Sequence, residues 1–216
     1  MDLLIEKELL KYKSHIIDHA TLSNILLTLG YIGIKDKVKL LKKKGLIQTL
    51  KKGLYVHTSP ITNNIFSKEI IANNLLGPSY ISLDYALSYH ALIPESVYEI
   101  TSMTTKRTKS FSTEYGLFSF RNIKKDLYSI GLEIQDSPNG NFIIATKEKA
   151  LCDKVYFTKD IKINSKKDMY DFLENDLRLD FEELEDFEVA IVEKYYELSK
   201  SKKINTLLKM LKELVV

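Results

Sequence analysis

The feature that most constrains this chain lies between residues 34 and 56, where one amphipathic helix gives way to a tight two-stranded turn. Ile34, Val38 and Leu41 repeat at i, i+4 and i+7, while Lys35, Lys39, Lys42 and Lys43 occupy the other side. Gly45 ends the pattern. The runs 46–50 and 54–56 are short and strand-like, and they flank Lys51-Lys52-Gly53, where glycine supplies the positive φ of a hairpin. Such a helix needs a core on one side and water or a polyanion on the other.

The upstream residues supply that core. Leu3, Ile5, Leu9, Leu10, Tyr12 and Ile16 recur at loosely helical spacing, which predicts a helix over 3–17. Thr21 or Ser23 caps a second helix that presents Leu22, Leu26 and Leu29 and stops at Gly30. Three short helices and a basic hairpin predict a winged helix-turn-helix domain over 1–59, within an α+β chain.

Charge is segregated along the sequence. Residues 1–59 carry 11 Lys against 5 Asp or Glu, a balance of +6, whereas the whole chain is only +3. Between Lys35 and Lys52 eight Lys face only Asp36. Lysine near phosphate releases condensed counterion, so this density points to double-stranded DNA. The expected contacts are Lys35, Lys37, Lys39, Lys42, Lys43 and Lys44 from the helix and its end, with Lys51 and Lys52 from the hairpin tip. Arginine, the commonest base reader, is absent from this segment, so specificity is expected from Gln48, Thr49, Asp36 or DNA shape. The alternative reading of the same residues is a small helical protein-binding module with a basic surface.

Ser59-Pro60 and Asn63-Asn64 read as a linker into a second domain over 60–216. Helices are predicted over 67–76 and 83–90, the latter with Ser82 as N-cap. Alternation then predicts about four strands, over 97–104, 117–123, 130–135 and 141–145, with Ser137-Pro138-Asn139-Gly140 as a turn. From Thr146 helical periodicity resumes and makes the C-terminus helical. The acidic stretch 180–188 reads as solvated. This body is thus a mixed α/β domain.

Few reaction chemistries suit the sequence. Phosphate loops, dinucleotide turns, H-E-x-x-H helices and G-x-S-x-G elbows do not occur. One cysteine, Cys152, leaves no internal disulfide or thiolate zinc cluster, and it reads as a buried inert thiol. His15 and His19 lie four apart on a predicted helix, a spacing for two metal ligands with no third nearby. His90 reads as a hydrogen-bonded core or interface histidine. A metal-dependent nuclease would need Asp136 beside Glu148 and Lys149, whose side chains diverge. No enzyme activity, cofactor or metal is expected, and apolar runs too short for a membrane span suggest a cytoplasmic location.

The sequence resembles the AbiEi-like antitoxins of type IV (abortive infection) toxin-antitoxin systems over roughly residues 1–160. In the head, residues 40–47 (LLKKKGLI) and 52–56 (KGLYV) look like the family's recognition-helix end and wing. In the body, 79–90 (SYISLDYALSYH), 104–107 (TTKR), 116–123 (GLFSFRNI) and 145–153 (ATKEKALCD) look like its opening helix, central strands and following helix. The family's wing is richer in arginine than this one. The resemblance implies a phage-defence antitoxin that represses its own operon by binding promoter DNA, with a homodimer on DNA as one arrangement, and that antagonises a cognate nucleotidyltransferase-like toxin. A solitary transcriptional regulator with a dimerisation or sensing body is the alternative. Tyr80, Tyr85, Tyr89, Tyr98 and Tyr115 exceed what a core requires, and tyrosine suits interfaces. The expected partner face is Tyr85 and Tyr89 with the cations Lys106, Arg107, Lys109 and Arg121.

Overall fold

The computed structural model describes residues 2–58, 66–159 and 161–214. The chain is α+β, with one three-stranded and one six-stranded sheet. It divides into two compact units, the first made of Met1–Gly77, Thr113–Tyr115 and Asp136–Phe142, the second of Pro78–Ser112, Gly116–Gln135 and Ile143–Val216. The expected linker at Ser59-Pro60 and Asn63-Asn64, and with it the boundary at 59/60, lies outside the described residues.

In the first unit the order is α1 (Asp2–Leu9), β1 (Ile16–Asp18), α2 (His19–Thr28), α3 (Ile34–Lys43), β2 (Ile47–Lys51), β3 (Leu54–His57) and α4 (Lys68–Leu75). The helix expected over 3–17 is therefore shorter than its periodicity suggested. It ends at Leu9, because His15 turns the chain with φ +55° and the β-branched pair Ile16-Ile17 finds a strand partner in β3. The sheet runs β1-β3-β2, antiparallel throughout, with Ile16 opposite Val56 and Ile47 opposite His57.

The cap of α2 also differs from expectation. Asp18, not Thr21 or Ser23, stands at the N-cap and accepts the Thr21 amide at 2.9 Å and the Thr21 hydroxyl at 2.7 Å. These bonds hold the Asp18 carboxyl below the usual carboxylate range. At the β2–β3 turn Gly53 takes φ +81°, as a hairpin tip requires. Ile5, Leu9, Leu22, Leu26, Val38, Leu41 and Ile47 form one buried cluster beneath the helices.

The second unit is built around a mixed sheet of order β6-β7-β5-β4-β9-β8. Its strands are β4 (Ser79–Ile81), β5 (Ile100–Thr104), β6 (Lys109–Thr113), β7 (Gly116–Asn122), β8 (Leu132–Ser137) and β9 (Gly140–Ala145), with the β8–β9 end carried in the first unit. Six strands replace the expected four. The two unforeseen ones are β4, only three residues and buried throughout, and β6, an edge strand in the stretch between the expected strands over 97–104 and 117–123. Helices α5 (Leu83–Tyr89), α6 (Lys125–Tyr128), α7 (Lys147–Phe157), α8 (Lys166–Asp171), α9 (Val189–Ser199) and α10 (Lys202–Leu214) complete the unit, with a π-helical turn at Phe172–Asp176 and a 3-10 turn at Glu182–Leu184.

Thr146 caps α7 through the Lys149 amide. The glycine before β8 is required by contact: a Cβ on Gly131, whose φ is +55°, would sit 2.8 Å from the Lys149 Cβ. Ile204, Leu207, Leu208 and Leu211 of α10 are buried as their spacing predicts, whereas Val215 lies outside the described residues.

Candidate functional site

Helix α3 sorts its side chains as the sequence period requires. Val38 and Leu41 are buried, Ile34 is half-buried, and Leu40 falls on the outer face with 40% exposure. Burying an aliphatic side chain stabilises by about 1.5–3 kcal/mol, so the inner stripe fixes the helix's rotation. Lys35, Lys39, Lys42 and Lys43 are consequently exposed, as is Lys52 at the hairpin tip. Lys42 also lies over the Tyr55 ring, 4.9 Å from its centroid.

Three of the expected cations make contacts within the molecule. Asp2, in the first turn of α1, accepts from Lys37 at 2.7 Å and also pairs with Lys44. The two ammonium groups hold the Asp2 carboxyl down at about 2. Lys37 also sits 4.5 Å from the Tyr31 ring centroid. Lys51 is half-buried and donates to the Leu75 carbonyl. Among the expected base readers, Thr49 and Asp36 are exposed, but Gln48 is half-buried and its carbonyl oxygen accepts the Tyr115 hydroxyl at 2.5 Å. Local pattern does not reveal the role of Asp2, which lies 35 and 42 residues from its partners.

The expected histidine pair does not share a helix face. His15 occupies the turn before β1 and His19 opens α2. No group of three or more His, Cys, Asp or Glu able to hold a metal occurs among the described residues. His15 instead faces His57, ring centroids 6.1 Å apart, and His57 is wholly buried with both ring nitrogens unpartnered among the described residues. Burial, then the charge of His15, pushes His57 down to about 4.

In the second unit, Lys106 and Arg107 are exposed in the turn after β5, and the Asn122 side chain donates to the Lys106 carbonyl at 2.8 Å. That bond brings the turn beside Arg121, which is exposed at the end of β7. Lys109 opens β6 with its ammonium 4.7 Å from the Phe111 ring centroid. On α5, Tyr85 is half-buried and Tyr89 is 44% exposed, packed edge-on against His90. His90 Nε2 is 2.8 Å from the Ala145 carbonyl. Tyr98 is exposed, but Tyr80 is wholly buried and belongs to the core.

Tyr80 leads to a cluster that sequence reasoning missed. The Asp153 carboxylate, fully buried, accepts four donors: the Tyr80 and Tyr195 hydroxyls at 2.9 Å, the Ser82 hydroxyl at 2.8 Å and the Lys149 ammonium at 2.9 Å. Lys149, equally buried, also donates to the Leu127 carbonyl at 2.9 Å and lies 4.4 Å from the Tyr195 ring centroid. Burial and the Asp153 charge push both tyrosine hydroxyls well above the ordinary range. Ser82, expected as a side-chain cap for α5, spends its hydroxyl here instead. The neighbouring Cys152 is fully buried, and burial raises its thiol. Asp136 is exposed on β8 while Glu148 and Lys149 are buried on α7.

No helix among the described residues is long and apolar enough to cross a membrane. No protein-family model and no curated protein matches the chain.

Proposed function

We propose that this protein is a non-enzymatic DNA-binding repressor and antitoxin, whose first unit is a winged helix-turn-helix and whose second unit antagonises a nucleotidyltransferase-like toxin. The observation that carries the DNA half is the row of exposed ammonium groups at Lys35, Lys39, Lys42 and Lys43, opposite the buried Val38 and Leu41. In this reading α2 and α3 are the helix pair, α3 enters a major groove, and the β2–β3 hairpin is a wing that brings Lys52 to the neighbouring backbone. The helix, strand, two helices and hairpin, with β1 closing the sheet beside β3, suit that assignment.

The antitoxin half rests on the resemblance to AbiEi-like proteins. Its support is that two of the motifs carrying the resemblance, 79–90 and 145–153, supply Tyr80, Ser82, Lys149 and Asp153 to one buried cluster. Antagonism then belongs to the expected partner face, Tyr85, Tyr89, Lys106, Arg107, Lys109 and Arg121. The reading places the protein in the cytoplasm and needs no cofactor.

Co-expression with the product of the adjacent open reading frame tests the whole assignment. The chain is expected to restore growth and to retard its own upstream DNA in a gel. Replacing Lys39, Lys42 and Lys43 by Ala is expected to abolish retardation and leave rescue intact. Failure of the unaltered chain to rescue growth overturns the antitoxin half.

A further inference from the structure

In the second unit a cleft of 630 Å3 opens between the start of α5, the end of β7, the C-terminal turn of α7 and the π-helical turn after α8. Small-ligand sites span about 300–1,000 Å3, so the volume suits a compact organic molecule. Its floor is apolar, with Leu83 and Phe172 buried and Phe157 half-buried. Above that floor stand three cations, Arg121, Lys154 and Lys159, against the carboxylates Asp84 and Asp176. Lys154 is occupied by Asp84 at 2.5 Å, so that pair is neutralised. Arg121 and Lys159 form no ion pair with a described residue.

The backbone of the same walls is irregular in two places. Leu83 takes φ +59°, a left-handed conformation that costs a non-glycine residue about 1–2 kcal/mol. Its neighbours hold it there. The Thr101 hydroxyl donates to the Ser82 carbonyl at 2.5 Å, the Ser82 amide donates to the Thr101 carbonyl at 2.9 Å, and the Ser82 hydroxyl is anchored on Asp153. The second irregularity is the π-helical turn, which contributes Phe172 and Asp176 to the lining and closes with the Leu177 amide on the Phe172 carbonyl at 3.1 Å. Held strain and π-turns both concentrate where a protein meets a ligand. Here they coincide with an apolar floor and two cations that pair with no described carboxylate.

We propose that this cleft is a nucleotide-binding site, taking a ligand that joins a phosphate group to a planar aromatic ring. Arg121 offers a planar fork to two phosphate oxygens and Lys159 a second positive charge. Phe157, Phe172 and Leu83 form the bed for the base, and Asp176 accepts a hydrogen bond from a sugar hydroxyl or exocyclic amine. A duplex backbone presents its phosphates on a convex rod and leaves an apolar floor of this kind uncovered, so a small ligand suits the concavity better. The site shares no residue with α3 and stands whether or not the α3 lysines bind DNA.

Calorimetric titration of the full chain with ATP, GTP, adenosine and inorganic pyrophosphate tests this. Saturable binding of ATP or GTP is expected, with adenosine and pyrophosphate each weaker by about tenfold or more, since each lacks half of the recognition. Replacing the exposed Arg121 and Lys159 together by Ala is expected to weaken nucleotide binding by about tenfold or more without altering the thermal melt. The Lys39, Lys42 and Lys43 variant is expected to bind nucleotide as the unaltered chain does. Absence of saturable nucleotide binding, or affinity unchanged by the Arg121 and Lys159 substitutions, overturns the proposal. Pyrophosphate bound as tightly as ATP, or Arg121-dependent binding of duplex DNA without nucleotide, overturns it equally.

Discussion

Helices α3 and α7 each carry several lysines, and Lys39 of the first and Lys149 of the second are used in opposite ways. In α3, Lys35, Lys39 and Lys43 stand in solvent, and the helix owes its position to the apolar stripe behind them. In α7, Lys149 is wholly buried and its i+4 partner Asp153 is the acceptor around which β4, α7 and α9 are joined. A lysine in water costs little and is free to meet a partner, whereas a buried lysine must be paired and hydrogen-bonded or it destabilises the fold. The contrast separates residues available for binding from residues committed to architecture.

The buried side of the comparison gives the largest expected effect. Asp153→Ala leaves the Lys149 ammonium unpaired in the core and is expected to cost about 3–5 kcal/mol in chemical denaturation. Adding Lys149→Met is expected to recover part of that loss, and failure to recover any would show that the charge is not the cause. Gly131→Ala comes next. A Cβ at positive φ and 2.8 Å from the Lys149 Cβ is expected to cost about 2–3 kcal/mol through backbone strain and overpacking, read from the same transition.

The first unit contains one group that behaves like α7 without its compensation. His57 is buried and kept neutral, its folded value near 4 against an ordinary 6.5. Below pH 6.5 the unfolded chain binds a proton that the folded chain refuses, so stability falls as pH drops from about 6.5 to about 4 and levels off beneath. The loss reaches about 3 kcal/mol when complete. His57→Leu is expected to flatten that limb; an unchanged pH profile would remove His57 as its origin.

The smallest stability effects belong to the exposed lysines and sharpen the contrast from the other end. Replacing Lys39 and Lys43 by Ala is expected to move stability by less than about 0.5 kcal/mol per site, because both are exposed, and Lys42→Ala by about 0.5–1 kcal/mol, because its ammonium lies over the Tyr55 ring. Asp2→Asn breaks two partly exposed ion pairs and is expected to cost about 1 kcal/mol or less. It also releases Lys37 and Lys44, so promoter affinity is expected to rise. If affinity stays constant, those two lysines lie away from phosphate.

How much of this could be read from the chain depended on the distance between the groups that interact. Helix α3 was legible because Ile34, Val38 and Leu41 state its inner face within eight residues, and the β2–β3 and β8–β9 turns were legible from Gly53 and from residues 137–140. Strand β1 was not, since Ile16 is a strand residue only by virtue of Val56. Strand β6 exposes most of its side chains at the sheet edge and leaves no apolar alternation to read. At the candidate sites the same rule applies. Lys149 and Asp153 look like a surface i, i+4 pair, and the residues that bury them, Tyr80, Ser82 and Tyr195, lie 73, 71 and 42 positions from Asp153.

The central claim is that the α3 lysines are free to meet phosphate, and the salt dependence of promoter binding tests it most directly. Plotting log affinity against log salt for the unaltered chain and for the Lys39, Lys42 and Lys43 variant, the slope is expected to become shallower by about 0.9 for each lysine that contacts a phosphate, up to about 2.7 in total. Equal slopes for the two proteins would contradict the claim and leave α3 a helix with a merely solvated face.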